Sequence, residues 1–264
     1  MKIRGARILV TGASSGIGRA ASFALAGKGA RLAITSRGAD RLEKVAEEIA
    51  RAFPGVPAPL AVPCDVADLE AVHRLIERCV GQLGSIDVLI NNAGIGVYGD
   101  VEKTSLEDFR SVMNVNFFGA VNCMLEVLPI MRNAGQGIIA NVASVAAIHG
   151  VPFLGAYCAT KSALVSVSQS LRAELSGSSI RIILIYPGYT ETDFYRAEKK
   201  VGTARRPEGP YASPDGVAQA IVRAVEREQK DVVLSRVGKS LALAERFAPW
   251  LVEKVMSRLA AQLR

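Results

Sequence analysis

The sequence has little of what several kinds of functional site require. Histidine occurs only twice in 264 residues, as His73 and His149, too few for a histidine-rich metal centre. The four cysteines, Cys64, Cys79, Cys123 and Cys158, share no short C-x-x-C spacing. Their apolar or helical surroundings are those of buried thiols, so no metal is expected. Aromatic residues make up 6% of the chain and nowhere interleave with a block of lysines and arginines, which argues against a nucleic-acid partner. No unbroken apolar run reaches the roughly 18 residues that a membrane span needs. Met1-Lys-Ile-Arg-Gly runs straight into Ile8-Leu9-Val10 without the three regions of a secretion signal. The expected location is the cytoplasm.

What is present is an ordinary globular mixture, half apolar and 22% charged. The length suits one large α/β core, although two domains remain open on length alone. A net charge of +7 is read first as a plain solvated basic surface, and also suits a phosphorylated ligand or an anionic lipid surface.

Apolar strands and helical stretches alternate from residue 6 to about residue 186. Strands are expected at 6–10, 30–35, 60–63, 86–90, 137–142 and 180–186. Helices are expected at 17–28, 39–53, 69–80, 106–127 and 156–175. Leu42, Val45, Ala46 and Ile49 recur at helical spacing, and Asp68 and Ser105 precede helices as N-caps. The strands are continuously apolar, as strands buried on both faces are. The fold class expected is α/β: a single-domain, doubly wound parallel sheet of Rossmann type with helices on both faces. Domain organisation follows as 1–240 for the dinucleotide-binding and catalytic unit and 241–264 for an amphipathic carboxyl-terminal extension. Within the first unit, residues 189–213 form a polar, basic substrate loop, with room for a short helix, holding Lys199, Lys200, Arg205, Arg206, Pro207 and Pro210. A helix at 214–228 and a last strand at 232–234 follow.

The turn Thr11-Gly12-Ala13-Ser14-Ser15-Gly16-Ile17-Gly18 joins the first strand to the first helix. Gly12 suits a positive φ, Gly16 a close approach to phosphate, and Gly18 close packing of helix on sheet. Gly12, Ser14, Ser15, Gly16, Ile17 and Gly18 are therefore the expected cofactor contacts, with the helix N-terminus facing a pyrophosphate. The second strand ends in Thr35-Ser36-Arg37, where an NAD-preferring site carries an acid. Arg37 suits the 2′-phosphate of NADP and also suits a solvent-facing helix start. NADP(H) is the expected cofactor and NAD the less favoured one. Asp65 and Val66 follow the third strand, where they can meet an adenine, or Asp65 can cap its own loop. Asn91-Asn92-Ala93-Gly94 ends the fourth strand; small residues there leave room for the adenosine side, and asparagine side chains brace loops.

Tyr157 and Lys161 are four residues apart and share one helical face. An ammonium and a positively charged nicotinamide would favour phenolate, tuning a phenol whose ordinary pKa is about 10. Ser144, just after a strand, can bind a substrate oxygen. By themselves such pairs are common in helices.

Taken together, Thr11-Gly12-x-x-x-Gly16-x-Gly18, Asn91-Asn92-Ala93-Gly94, Asn116, Ser144, Tyr157-x-x-x-Lys161 and Pro187-Gly188 resemble the short-chain dehydrogenase/reductase family over residues 6 to 235. The resemblance implies hydride transfer between NADP(H) and a carbonyl or secondary alcohol. It implies Tyr157 as general acid and base, Ser144 orienting the reacting oxygen, and Lys161 holding the nicotinamide ribose and lowering the tyrosine pKa. Asn116 would hold a helix kink and a proton relay; Asn114 is the neighbouring candidate, but Asn116 fits the family's Asn-x-x-Gly spacing through Gly119. Pro187, Gly188 and Thr190 would frame the nicotinamide, and Thr192 would touch its carboxamide or the phosphates. The family's basic residue inside the glycine turn is replaced by Ser15, so NADP preference rests on Arg37, with Arg19 as a helper. A homodimer or homotetramer through 106–127 and 156–175 is also implied.

Phe153, Leu154 and Tyr189 are expected to wall an apolar substrate site, with His149 near its mouth. In the tail, Phe247, Trp250, Leu251, Val255 and Leu259 alternate with Arg246, Lys254, Arg258 and Arg264. This segment suits docking on a sister subunit, docking over the substrate cleft, or peripheral contact with an anionic membrane. It resembles the tails of bacterial-type members related to lipid- and steroid-active reductases. A lipid or steroid ketone reductase and a non-catalytic dinucleotide sensor are the alternatives to a general carbonyl reductase.

Overall fold

The computed structural model describes residues 1–207 and 211–264. Glu208 to Pro210 lie outside the described residues, so Pro210 of the expected loop is not placed. Elements follow in the order β1 (Arg7–Thr11), α1 (Gly16–Gly27), β2 (Arg31–Ser36), α2 (Ala39–Ala52), β3 (Leu60–Pro63), α3 (Leu69–Leu83), β4 (Val88–Asn91) and β5 (Val97–Gly99). Then come α4 (Leu106–Met113), α5 (Gly119–Asn133), β6 (Gly137–Val142), α6 (Gly155–Glu174), β7 (Ile180–Tyr186), α7 (Phe194–Ala197) and β8 (Lys199–Val201). The chain closes with α8 (Pro214–Arg227), β9 (Asp231–Val233), α9 (Arg236–Phe247) and α10 (Pro249–Leu263).

Seven strands form one sheet in the order β3-β2-β1-β4-β6-β7-β9, and each neighbouring pair is parallel. The order reverses beside β1, between β1 and β4, which opens a crevice at the carboxyl edge. The two faces bury separate apolar layers. Leu25, Leu42, Ile49, Ile221 and Val225 pack on one; Leu75, Cys79, Cys123, Met131 and Leu164 pack on the other. All four cysteines are buried as free thiols. Burial pushes the Cys64 thiol up to about 11 and the Cys79 thiol up to about 12, so neither is a thiolate near neutrality.

The expected helix over 106–127 is interrupted. Asn114–Phe118 forms a π-helical turn between α4 and α5, and helical structure continues through Pro129 to Asn133. Among the described residues, the stretch Leu106–Asn133 is the one helix long and apolar enough to cross a membrane by length and composition. Its Val112, Cys123, Met124, Val127 and Met131 lie in the protein core. The stretch 189–213 holds a short helix, α7, as expected, and also β8, which pairs in parallel with β5. Neither short strand was expected, because three residues carry too little periodicity to register.

The glycine turn shows why Gly18 cannot be enlarged. A Cβ at Gly18 would lie 2.2 Å from the Gly12 carbonyl oxygen and 2.5 Å from Asn92 Nδ2. Gly81, inside α3, has nothing within 4 Å of its Cβ position. Gly18→Ala is expected to destabilise by about 2 kcal/mol through overpacking, lowering the melting temperature by roughly 5 °C. Gly81→Ala is expected to stabilise by about 0.5–1 kcal/mol through helix propensity. Thermal melts of the two variants check the contrast.

Candidate active site

A cleft of about 330 Å³ runs along the carboxyl edge of the sheet. The β1–α1 turn floors one end. Gly12 and Gly16 have φ of +64° and +52°, conformations open to glycine and costly for other residues. Ser15 is the N-cap of α1 but makes no side-chain cap hydrogen bond, and the first turn carries no acid. The turn is braced from β4. Thr11 Oγ1 accepts from the Asn92 and Ala93 amides at 2.9 and 3.0 Å, while Asn92 Nδ2 donates to the Thr11 and Gly12 carbonyls at 3.0 and 3.2 Å. Thr192 reaches across from the loop after β7, where a Cβ on Gly16 would lie 3.0 Å from its Cγ2.

Gly12, Ser14, Ser15, Gly16 and Ile17 line the cleft, as do Arg37, Asp65, Val66, Asn92, Ala93 and Gly94. Pro187, Gly188, Thr190 and Thr192 line its far side. Gly18 does not reach the lining; it acts through the packing just described. Asp65 Oδ1 accepts the Ala67 amide at 3.0 Å, so the loop-capping role is real, and its side still faces the cleft. Ser36, Gly38 and Arg41 join Arg37 at the same rim. Arg41 was missed from the sequence; its place in the first turn of α2, just after the strand end that carries Arg37, is the signal that finds it. Among the described residues neither guanidinium has an ion-pair partner. Arg19, the expected helper, is engaged elsewhere: it pairs with Glu48 at 2.6 Å and lies over the Phe23 ring at 4.7 Å.

At the other end, Ser144, Tyr157 and Lys161 face the cleft together. β6 delivers Ser144, whose hydroxyl accepts the Ala146 amide at 3.1 Å. Lys161 is buried, and its Nζ donates to the Val142 carbonyl at 2.8 Å and sits 5.7 Å from the centre of the Tyr157 ring. Asn116 lies in the π-helical turn and off the cleft lining. Its Nδ2 donates to the Ile95 carbonyl at 2.9 Å and to Thr160 Oγ1 at 3.1 Å, and its Oδ1 accepts the Ile95 amide at 2.8 Å. It therefore ties the strand-end loop to α6, one residue before Lys161.

The electrostatics of the chain alone run against one expectation. Burial pushes the Tyr157 phenol up, the neighbouring Tyr195 adds to this, and the Ser144 hydrogen bond opposes it. Burial depresses the Lys161 ammonium as well, to about 8. The folded Lys161 thus binds its proton less tightly than the unfolded side chain, with its ordinary value of 10.5. The penalty is full below about pH 8 and is relieved as pH rises from 8 towards 10.5, where the unfolded chain holds more protons. A shift of this size amounts to about 3 kcal/mol. Lys161→Met is expected to raise stability at pH 7, to lose that advantage near pH 10.5, and to abolish turnover. Chemical denaturation at the two pH values checks the sign.

Tyr189 and Leu154 line the cleft as expected, joined by Ile95, Val151, Phe194 and Tyr195. Phe194 packs edge-on to Tyr157, with ring centres 5.6 Å apart. Phe153 does not line the cleft; it is buried behind it against Tyr98 and Leu263. His149 is not at the mouth either: its Nδ1 lies 3.0 Å from Glu245 Oε2 of α9. Phe194 and Tyr195 were not singled out because their helix is a single turn inside a polar stretch, and only the tertiary fold turns it inward.

Fold and site together define a dinucleotide-binding oxidoreductase. A family model of the short chain dehydrogenases matches residues 6–201, and the chain belongs to the short-chain dehydrogenase/reductase family. It is 35% identical to the "Dehydrogenase/reductase SDR family member 7B" of Bos taurus, over 99% of this chain and 83% of that one. A short chain dehydrogenase from Burkholderia cenocepacia in complex with NADP superposes with a TM-score of 0.82 at 26% identity, covering 97% of this chain and 99% of that one. A family member from Burkholderia phymatum in complex with NAD has a TM-score of 0.85, covering 95% and 96%. At 24% identity that likeness bears on the fold alone.

Proposed function

We propose that this protein transfers a hydride between NADP(H) and a carbonyl or secondary alcohol carbon. The observation that carries the reading is the convergence of Ser144, Tyr157 and Lys161 on one cleft with the β1–α1 turn and Arg37. The residues present fit a dinucleotide. The uncapped, acid-free start of α1 suits a pyrophosphate, and Arg37 with Arg41 suits a 2′-phosphate. When bound, NADPH supplies the hydride for reduction, and NADP accepts it in the reverse direction.

The chain's own residues handle the proton and the geometry. Ser144 orients the substrate oxygen beside the Tyr157 hydroxyl. In reduction, that hydroxyl gives its proton to the oxygen as the C=O bond becomes a C–O single bond; in oxidation the phenolate takes it back. Lys161, fixed by the Val142 carbonyl, holds the ribose hydroxyls and restores the proton. Asn116 is a positioning residue that holds the Ile95 loop and α6 in register. Pro187, Gly188 and Thr190 frame the nicotinamide end, and the apolar Ile95, Val151, Leu154 and Phe194 favour an apolar substrate.

The exposed Leu106, Phe118 and Leu125 on α4, the π-helical turn and α5 favour a homodimer or homotetramer through these helices, in the cytoplasm. A panel of ketones, aldehydes and alcohols, followed by nicotinamide absorbance with NADPH and NADH, tests the reading. Turnover with NADPH is expected. Cofactor binding without turnover of any member would favour a dinucleotide sensor instead.

A further inference from the structure

The carboxyl-terminal helices have two faces with different fates. The inner face belongs to the cleft wall. Leu259, Ala260 and Leu263 of α10 pack in one cluster with Val151, Leu154 and Tyr157, and the Arg205 amide donates to the Leu263 carbonyl at 2.7 Å. A Cβ on Gly238 of α9 would lie 2.5 Å from Val145 Cγ1, and His149–Glu245 ties the carboxyl end of α9 to the loop after β6. The helices therefore bracket the cleft of their own chain.

The outer face is unpartnered and apolar. Leu243, Phe247, Trp250, Leu251 and Val255 are exposed, Phe247 by 72% and Trp250 by 67%. Their neighbours Arg246, Lys254 and Arg258 are exposed as well. Residues 236–264 hold six basic and two acidic side chains, +4 of the chain's formal +7. A two-fold contact through this face would set one basic surface against its twin, whereas an anionic surface complements it. Long basic side chains beside large apolar ones also suit a lipid headgroup boundary, where the stems lie in the apolar layer and the charges reach phosphate.

We infer that the outer face of α9 and α10 docks on an anionic bilayer surface and holds the cleft at the lipid boundary, so that an apolar ketone dissolved in the bilayer is the substrate it meets. The substrate half rests on the hydride-transfer reading above; the docking half does not.

Trp250 is the chain's only tryptophan and reports directly on the contact. Full-length protein is titrated with vesicles of phosphatidylcholine, with and without 30% phosphatidylglycerol, as a chosen composition of about that fraction. A blue-shifted Trp250 emission and co-sedimentation are expected with the anionic vesicles, weakened in high salt. In the doubly substituted Phe247→Glu, Leu251→Glu protein, vesicle affinity is expected to fall at least about 10-fold. Turnover of a long-chain ketone held in anionic vesicles is expected to fall in parallel, while turnover of a short water-soluble ketone stays at the wild-type level. Unchanged emission with anionic vesicles overturns the docking, as does a blue shift that grows with protein concentration in the absence of lipid, which would identify a second copy as the occupant. Equal turnover of the vesicle-held ketone by wild type and variant overturns the substrate half. Loss of turnover of both ketones by the wild type would instead count against hydride transfer, with the vesicle arm still deciding the docking.

Discussion

Tyr157→Phe is expected to lower kcat for ketone reduction by about 10²–10⁴-fold, the usual contribution of a positioned general acid, while NADPH affinity changes little. Phenylalanine keeps the half-buried ring and the edge contact to Phe194, whose ring centre lies 5.6 Å away. The fold should therefore survive, and the loss should report the missing hydroxyl. Burial raises the phenol in the wild type, so the acid form is fully populated through neutral pH. Reduction should be flat with pH across that range, whereas oxidation, which needs phenolate, should rise with alkalinity. Steady-state rates in both directions, with cofactor binding measured separately, check each part. Retained turnover in the variant would remove Tyr157 from its proposed role.

The second large effect concerns cofactor choice. Removing both rim guanidinium groups, in Arg37→Ser, Arg41→Ser, is expected to lower kcat/KM with NADPH by about 10²-fold or more. Charge-assisted hydrogen bonds of about 1.5–3 kcal/mol each set this scale. The value with NADH should move by no more than about 3-fold, since a ribose hydroxyl makes no comparable demand on a cation. Each single variant should lose part of the preference, because both side chains face the same rim. An equal loss with both cofactors would mean that the two arginines support the loop rather than read the phosphate.

Gly12 and Gly16 could be picked out in the sequence from local order, a glycine turn at the end of a strand, whereas Ser144, Tyr157 and Lys161 stood out only through the family resemblance, since a tyrosine and a lysine one helical turn apart are common in helices. Their meeting in one cleft could not be read that way, since it depends on the parallel register that sets β6 beside β4. Arg19 shows the limit from the other side. Its position suggested the cofactor, yet Glu48 of α2, 29 residues away, claims it. His149 was drawn to the mouth by proximity in sequence and is instead held by Glu245, 96 residues on. Phe153 took a positive φ of 64° and turned behind the wall rather than onto it.

The periodicity of apolar residues by itself determined the alternating strands and helices, and the glycine turn determined where a phosphate can approach, because both are properties of a few adjacent residues. Long-range packing decided the rest. It paired β5 with β8, turned Phe194 and Tyr195 into the cleft, and folded α10 back so that Leu263 is buried against the wall while Trp250 stays in solvent. Those outcomes depend on which distant surface offers the better burial, and no window of neighbouring residues contains that comparison.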